Sequence, residues 1–141
     1  MHDTPMTRIG GCRCGDIKFE TSGQPVLTEY CHCRSCRHSA GAPLMAWAGF
    51  NVDAFTLVSG NPTVHEASPG VRRSFCGRCG TSLTQTDARF AEEIYVALAA
   101  FDDDEAPSPE IHIWRSERLS WLETTDDLPR YVQFKNDGIV E

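Results

Sequence analysis

Seven cysteines fall in three tight groups, and their spacing constrains this chain more than any other feature of its 141 residues. Cys12-Arg13-Cys14 and Cys76-Gly77-Arg78-Cys79 are pairs, while Cys31-His32-Cys33-Arg34-Ser35-Cys36 carries three thiols spaced C-x-C-x-x-C. A Cys-x-x-Cys loop lets two sulfurs reach one ion at about 2.3 Å each, the tetrahedral geometry that zinc prefers. The thiols therefore divide as four plus three. Cys12, Cys14, Cys76 and Cys79 can close a structural tetrahedron, whereas Cys31, Cys33 and Cys36 fill three corners and leave the fourth open. Closed sites hold folds together and open ones can do chemistry, so two zinc ions per chain with unequal roles are expected.

Composition supports metal over disulfide. The cysteine count is odd, and the first nine residues lack the apolar core of a signal peptide. A cytoplasmic location is therefore expected, where clustered cysteines are metal ligands more often than disulfide partners. The net charge of −7 argues against a nucleic-acid partner held by bulk electrostatics. No apolar run approaches the roughly 20 residues that span a bilayer, so no membrane partner is expected. The oligomeric state is not legible. Five of the arginines, Arg13, Arg34, Arg37, Arg73 and Arg78, lie within three positions of a cysteine. They either offset the negative charge of metal thiolates or serve as solvated turn residues.

Local patterning is that of a mainly β chain. Gly10 to Gly15 reads as a glycine-framed turn around the first pair. Asp16 to Thr21 alternates apolar and charged residues as a half-buried strand does. Val26 to Tyr30 is a second strand leading into the triplet. A short helical turn starts there and stops at Gly41, with Pro43 forbidding continuation. Strands are expected over Leu44–Phe50 and Val52–Val58, and a hairpin over Thr63–Ala67 and Val71–Phe75 about the turn Ser68-Pro69-Gly70. Glu93 to Phe101, the most apolar run, reads as a central strand, and Ile111 to Trp114 as another. A single domain is expected over residues 9–135, with tails at 1–8 and 136–141.

Gly11-Cys12-Arg13-Cys14-Gly15, Cys31 to Arg37, Gly41-Ala42-Pro43 and Phe75 to Thr81 together resemble the glutathione-dependent formaldehyde-activating (GFA) family. The resemblance runs from about Arg8 to Tyr131 and takes in Phe101-Asp102-Asp103 and Ile111-His112-Ile113-Trp114. It implies a zinc-stapled β-tent of coiled antiparallel sheets, as in methionine-R-sulfoxide reductases and a Rab-binding zinc chaperone. It also implies a structural zinc on Cys12, Cys14, Cys76 and Cys79, and a second, exchangeable zinc on Cys31, Cys33 and Cys36. The implied activity is that of an S-(hydroxymethyl)glutathione synthase, a carbon–sulfur lyase read in reverse, with glutathione or a similar small thiol as partner and formaldehyde or another aldehyde as co-substrate.

An open three-cysteine zinc suits that chemistry by accepting a thiol as fourth ligand. Arg34 and Arg37 are the candidates to steady a developing alkoxide or hold a substrate carboxylate. His32 and His38 flank the triplet, each a ligand or proton shuttle on one reading and a packing residue on the other. Trp47 either walls the site or sits in the core. Asp102 to Glu105 either binds a cation or is a solvated charge run. Two other classes of function fit the same residues: a non-catalytic zinc-stapled binding module, and a thiol-based redox or zinc-buffering protein.

Overall fold

A computed structural model of the chain describes residues 6–141, so the first five residues of the expected N-terminal tail lie outside the described residues. The described chain is mainly β, with one α-helix. Its strands are β1 (Thr7–Gly11), β2 (Lys18–Ser22), β3 (Leu27–Cys31), β4 (Met45–Asn51), β5 (Phe55–Ser59), β6 (Thr63–Ser68), β7 (Val71–Phe75), β8 (Ser82–Asp87), β9 (Glu93–Ala97) and β10 (Ile111–Ile113); the helix is α1 (Arg34–Ala40). Contacts group the chain into two compact units. One holds residues up to Leu27 with Ala48–Pro107, and the other Thr28–Trp47 with Ser108–Glu141. Each contains one cysteine group, and they are called here the four-cysteine and three-cysteine units.

In the four-cysteine unit, β1, β2 and β5 form an antiparallel sheet in that order. Along β2, Phe19 and Thr21 are buried while Lys18, Glu20 and Ser22 are exposed, the period-two alternation of a one-sided strand. Phe19 packs edge-on against Phe101 at 5.2 Å and stacks on Phe55 at 5.5 Å. Gly10, opposite Phe19 in the register, has no room for a side chain. A Cβ there would sit 2.6 Å from the Phe19 ring and 2.5 Å from the Ala100 carbonyl. Of the glycines expected to frame a turn, Gly10 and Gly11 end β1 while Gly15 closes the turn after Cys12, and Thr7 and Arg8, set apart as tail on sequence, belong to that strand. Strands β6, β7, β8 and β9 follow one another as an antiparallel meander. Ile17, Phe19, Ala48, Phe50, Leu83, Val96 and Phe101 form the core together with Cys12 and Cys76. Each large side chain there contributes about 1.5–3 kcal/mol by leaving water.

Three local departures have physical causes. Val52–Ala54 is a 3-10 turn rather than strand, since Asp53 is a poor strand former; the strand begins only at Phe55. The run from Glu93 leaves strand geometry after Ala97. Leu98–Ala100 makes a second 3-10 turn that brings Phe101 back into the core. Strand β8 was not expected, because Ser-Leu-Thr-Gln-Thr-Asp holds a single apolar residue and so no hydrophobic period.

In the three-cysteine unit, β3 and β10 pair in parallel, with His112 opposite Tyr30 and Ile113 opposite Cys31. This pair departs from the antiparallel pattern implied by the resemblance; a long connection between the two strands is what parallel pairing requires. Helix α1 begins at the triplet and ends at Gly41, whose φ of 62° is the left-handed conformation that glycine adopts cheaply. After β10, Trp114 takes a left-handed φ of 56°, unusual for a bulky residue, and its backbone N–H donates to the Gln133 carbonyl. The turn places Arg115 inward, 7% exposed. Residues 136–141, set off as a tail on sequence, bridge back through Tyr131 and Val140.

Candidate metal and thiol sites

Cys12 leaves the end of β1, Cys14 lies in the turn before β2, and Cys76 and Cys79 form the knuckle after β7. The four Sγ atoms all lie within 4.8 Å of one another. Cys12 and Cys14 sulfurs are 3.5 Å apart, and Cys14 and Cys76 sulfurs 3.7 Å. A tetrahedron of 2.3 Å metal–sulfur bonds has edges of about 3.8 Å. The sulfurs also collect backbone donors as thiolates do: Ile17 N–H to Cys12 at 3.2 Å and Cys79 N–H to Cys76 at 3.5 Å. The Thr81 hydroxyl, 3.2 Å from Cys79, is the largest of the influences that pull that thiol down to about 5. Geometry and donor set fit a tetrahedral soft-metal ion such as zinc.

The second group is built differently. Cys31 ends β3, Cys33 caps the N-terminus of α1 and Cys36 lies within the helix. The Cys33 sulfur accepts from the Cys36 N–H at 3.3 Å, so the thiol is also the helix cap. Their Sγ atoms converge within 4.8 Å, and the group holds no fourth His, Cys or carboxylate ligand among the described residues. Cys31 and Cys36 are buried and Cys33 is half-buried. The neighbouring thiols Cys33 and Cys36, with burial, push Cys31 well above the ordinary thiol range. The contact of Cys33 with Cys31 favours its thiolate, but Cys36 and burial outweigh this and push it up to about 11. Three thiols in so small a volume resist ionising together, and a cation among them removes that penalty.

The flanking residues sort out as follows. Arg37 donates from Nε to the His32 carbonyl at 3.2 Å and from Nη2 to the Glu117 carbonyl at 3.1 Å, so its guanidinium pins the loop. Arg34 is exposed, and its backbone N–H is held by Glu117 Oε1 at 2.8 Å. Arg78 pairs with Asp16 at 3.0 Å in solvent. Arg13 is exposed and Arg73 buried. His38 is exposed, and Trp47 is buried in the three-cysteine unit. Asp102 to Glu105 form a turn closed by the Glu105 N–H on the Asp102 carbonyl at 2.7 Å, with the three aspartates exposed and Glu105 half-buried.

His32 is placed outside both ligand groups. It is completely buried, its Nε2 lies 2.9 Å from Nδ1 of the equally buried His112, and His112 Nε2 lies 3.0 Å from both carboxylate oxygens of Asp126. The His32 ring stacks on His112 at 5.1 Å, and Tyr30 stacks on His112 at 4.8 Å. Burial, then the charge of Arg115 and His112 itself, bring His32 down to about 4. Burial also lowers His112, against the opposing pull of Asp126. Both shifts favour the neutral ring. Arg115 is itself clamped by Glu141, Nε to Oε2 at 2.9 Å and Nη2 to Oε1 at 3.2 Å. His112, quoted within the resemblance, and Arg115, Asp126 and Glu141 had no site role on sequence. The available signal was a histidine at the centre of Ile111-His112-Ile113, an apolar strand where a polar ring needs a partner.

A mainly β fold carrying one four-thiol and one three-thiol group defines a protein with two potential zinc sites, one closed and one open. The profile of the glutathione-dependent formaldehyde-activating enzyme family matches residues 7–117, most of the chain, and the protein belongs to that family. No curated protein matches it in sequence. A crystal structure of a Rhodobacter sphaeroides protein is similar with a TM-score of 0.58 and 21% identity, over 72% of this chain and 97% of that one; the likeness is one of fold. No described helix is long and apolar enough to cross a membrane.

Proposed function

We propose that the chain binds two zinc ions and uses the three-cysteine site to join a small thiol of the glutathione class to formaldehyde, or to separate the two. One observation carries this reading: the same fold closes four thiols around one point and only three around another. Family membership supports the thiol and the aldehyde as the reactants. When bound, zinc supplies a soft Lewis acid that favours a thiolate over a thiol near neutral pH.

The chain's own residues do the rest. Cys31, Cys33 and Cys36 would hold the ion, and Cys33, half-buried, is the least covered of the three thiols. Arg37 ties the His32 and Glu117 carbonyls and keeps the loop in shape while a ligand comes and goes. Arg34, exposed at the start of α1, is free to meet a substrate carboxylate. In the forward direction a bond forms between the thiol sulfur and the formaldehyde carbon. The C=O π pair moves to oxygen, which ends as a hydroxyl with the proton the thiol gave up. Thiols add to formaldehyde unaided, so the protein has only to hold and ionise one of them.

The test is the rate of adduct formation and breakdown with zinc-loaded protein, measured by exchange NMR after subtraction of the uncatalysed rate. A rate gain with glutathione that Cys33→Ser abolishes supports the proposal. Equal rates with and without the protein, for glutathione and for several other small thiols, overturn it.

A further inference from the structure

We propose that Asp126 and His112 are positioning residues for the three-cysteine site, acting through His32 by fixing that ring in one orientation with its proton on Nε2. The inference rests on the reading of Cys31, Cys33 and Cys36 as a metal site. His32 is the residue between two of those thiols, so whatever fixes it fixes the spacing of Cys31 and Cys33. Its backbone is held on both sides, its N–H donating to the Ile113 carbonyl at 3.1 Å and its carbonyl accepting from Arg37 at 3.2 Å. The side chain is held by the buried bond to His112 at 2.9 Å.

The direction of that bond is set at Asp126. Its carboxylate can only accept, so His112 must present N–H from Nε2. A neutral imidazole carries one proton, so His112 Nδ1 is then an acceptor and His32 must donate from Nε2. Asp126 is in turn anchored, accepting from the Leu128 N–H at 3.0 Å with Arg130 at 3.5 Å. Outer-shell partners that orient a metal's ligands, such as a carboxylate behind a ligating imidazole, typically cost about 10–100-fold in metal affinity when lost; here the carboxylate acts through His32, which lies between two ligands and is not one itself. It does so across two rings in series instead of one.

Asp126→Asn keeps the shape and breaks the logic. With the Leu128 N–H still claiming the amide oxygen, the amide NH2 faces His112 and donates to Nε2. Both rings must then shift their protons to Nδ1, or the chain of bonds must open. The wild-type protein, apo and cadmium-loaded, is compared with Asp126→Asn by proton–nitrogen correlations of the imidazoles and by chelator competition for cadmium. The expected result is Nε2–H at both His32 and His112 in the wild type. In the variant that pattern is lost, and one cadmium per chain is held about 10–100-fold more weakly while the other is unchanged.

A wild type with His32 protonated on Nδ1 overturns the proposal without recourse to any variant. So does a variant whose tautomers change while both cadmium affinities stay the same, or one in which both sites weaken equally. A wild type that loads cadmium at the four-thiol group alone removes the metal reading of the triplet, and this proposal with it. A failed turnover assay with both metals bound removes only the proposed reaction.

Discussion

The two cysteine groups use the same ligand atom and are embedded differently. Cys12 and Cys76 belong to the apolar core of their unit, packed with Ile17, Phe19 and Leu83. Cys31, Cys33 and Cys36 sit among hydrogen bonds: a helix cap at Cys33, the guanidinium of Arg37, and the His32–His112–Asp126 series. A ligand lost beside that apolar packing leaves a void behind the thiols that remain. A polar surround is directional and holds a loop in shape while its ligands exchange. The contrast teaches that closure of a metal site lies in what packs behind the ligands as much as in their number.

The largest expected difference is between single cysteine substitutions. Cys76→Ser removes a ligand whose metal-binding free energy is also folding free energy, on the order of 10 kcal/mol in small zinc domains. Stabilities of about 5–15 kcal/mol cannot absorb that loss, so the four-cysteine unit should fail to fold. Cys33→Ser should give a folded protein holding one zinc, and a mild chelator should strip that same zinc first from the wild type. Equal loss of thermal stability in the two variants would break the comparison.

Next in size is Phe19→Ala, which empties a position 1% exposed between two aromatic rings. A cost of about 3–5 kcal/mol is expected. Amide hydrogen exchange should rise first in β1, β2 and β5, and protection unchanged in those strands would show the core to be elsewhere.

Glu141→Gln tests the polar unit. Hydrogen bonding to Arg115 outweighs burial and holds the Glu141 carboxyl below its ordinary value of 4.5. Because the folded value lies below the ordinary one, the stabilisation is fully present above 4.5 and is lost as pH falls through the folded value. At pH 7 the variant should be about 1–2 kcal/mol less stable, between the figures for exposed and buried pairs. In acid the gap to wild type should close. A gap that persists at low pH would mean that packing, not charge, holds Arg115.

The smallest effect concerns ligand choice. Arg34→Ala should weaken glutathione by about 0.5–1 kcal/mol relative to an uncharged thiol, as befits an exposed charge pair. Calorimetry with both thiols checks this, and equal weakening of the two would remove Arg34 from carboxylate recognition.

Much of the architecture was readable from residue order because its causes are local. Helix α1 between the triplet and Gly41, the hairpin of β6 and β7, and the alternation of β2 all follow from caps, turn residues and period. The three cysteine groups were readable from spacing, since a Cys-x-x-Cys loop brings its own sulfurs together, and the expected union of Cys12 and Cys14 with Cys76 and Cys79 is completed by a contact across 62 residues. Strand β8, with one apolar residue in six, was not readable, because its place comes from pairing with β7 and β9. Nor was the meeting of His32 with His112, 80 residues apart, or of Arg115 with Glu141. Those contacts depend on a parallel register between β3 and β10 that no local pattern encodes. Sequence determines which atoms can bind a metal; the non-local packing decides which of them is held by a core and which by a string of hydrogen bonds.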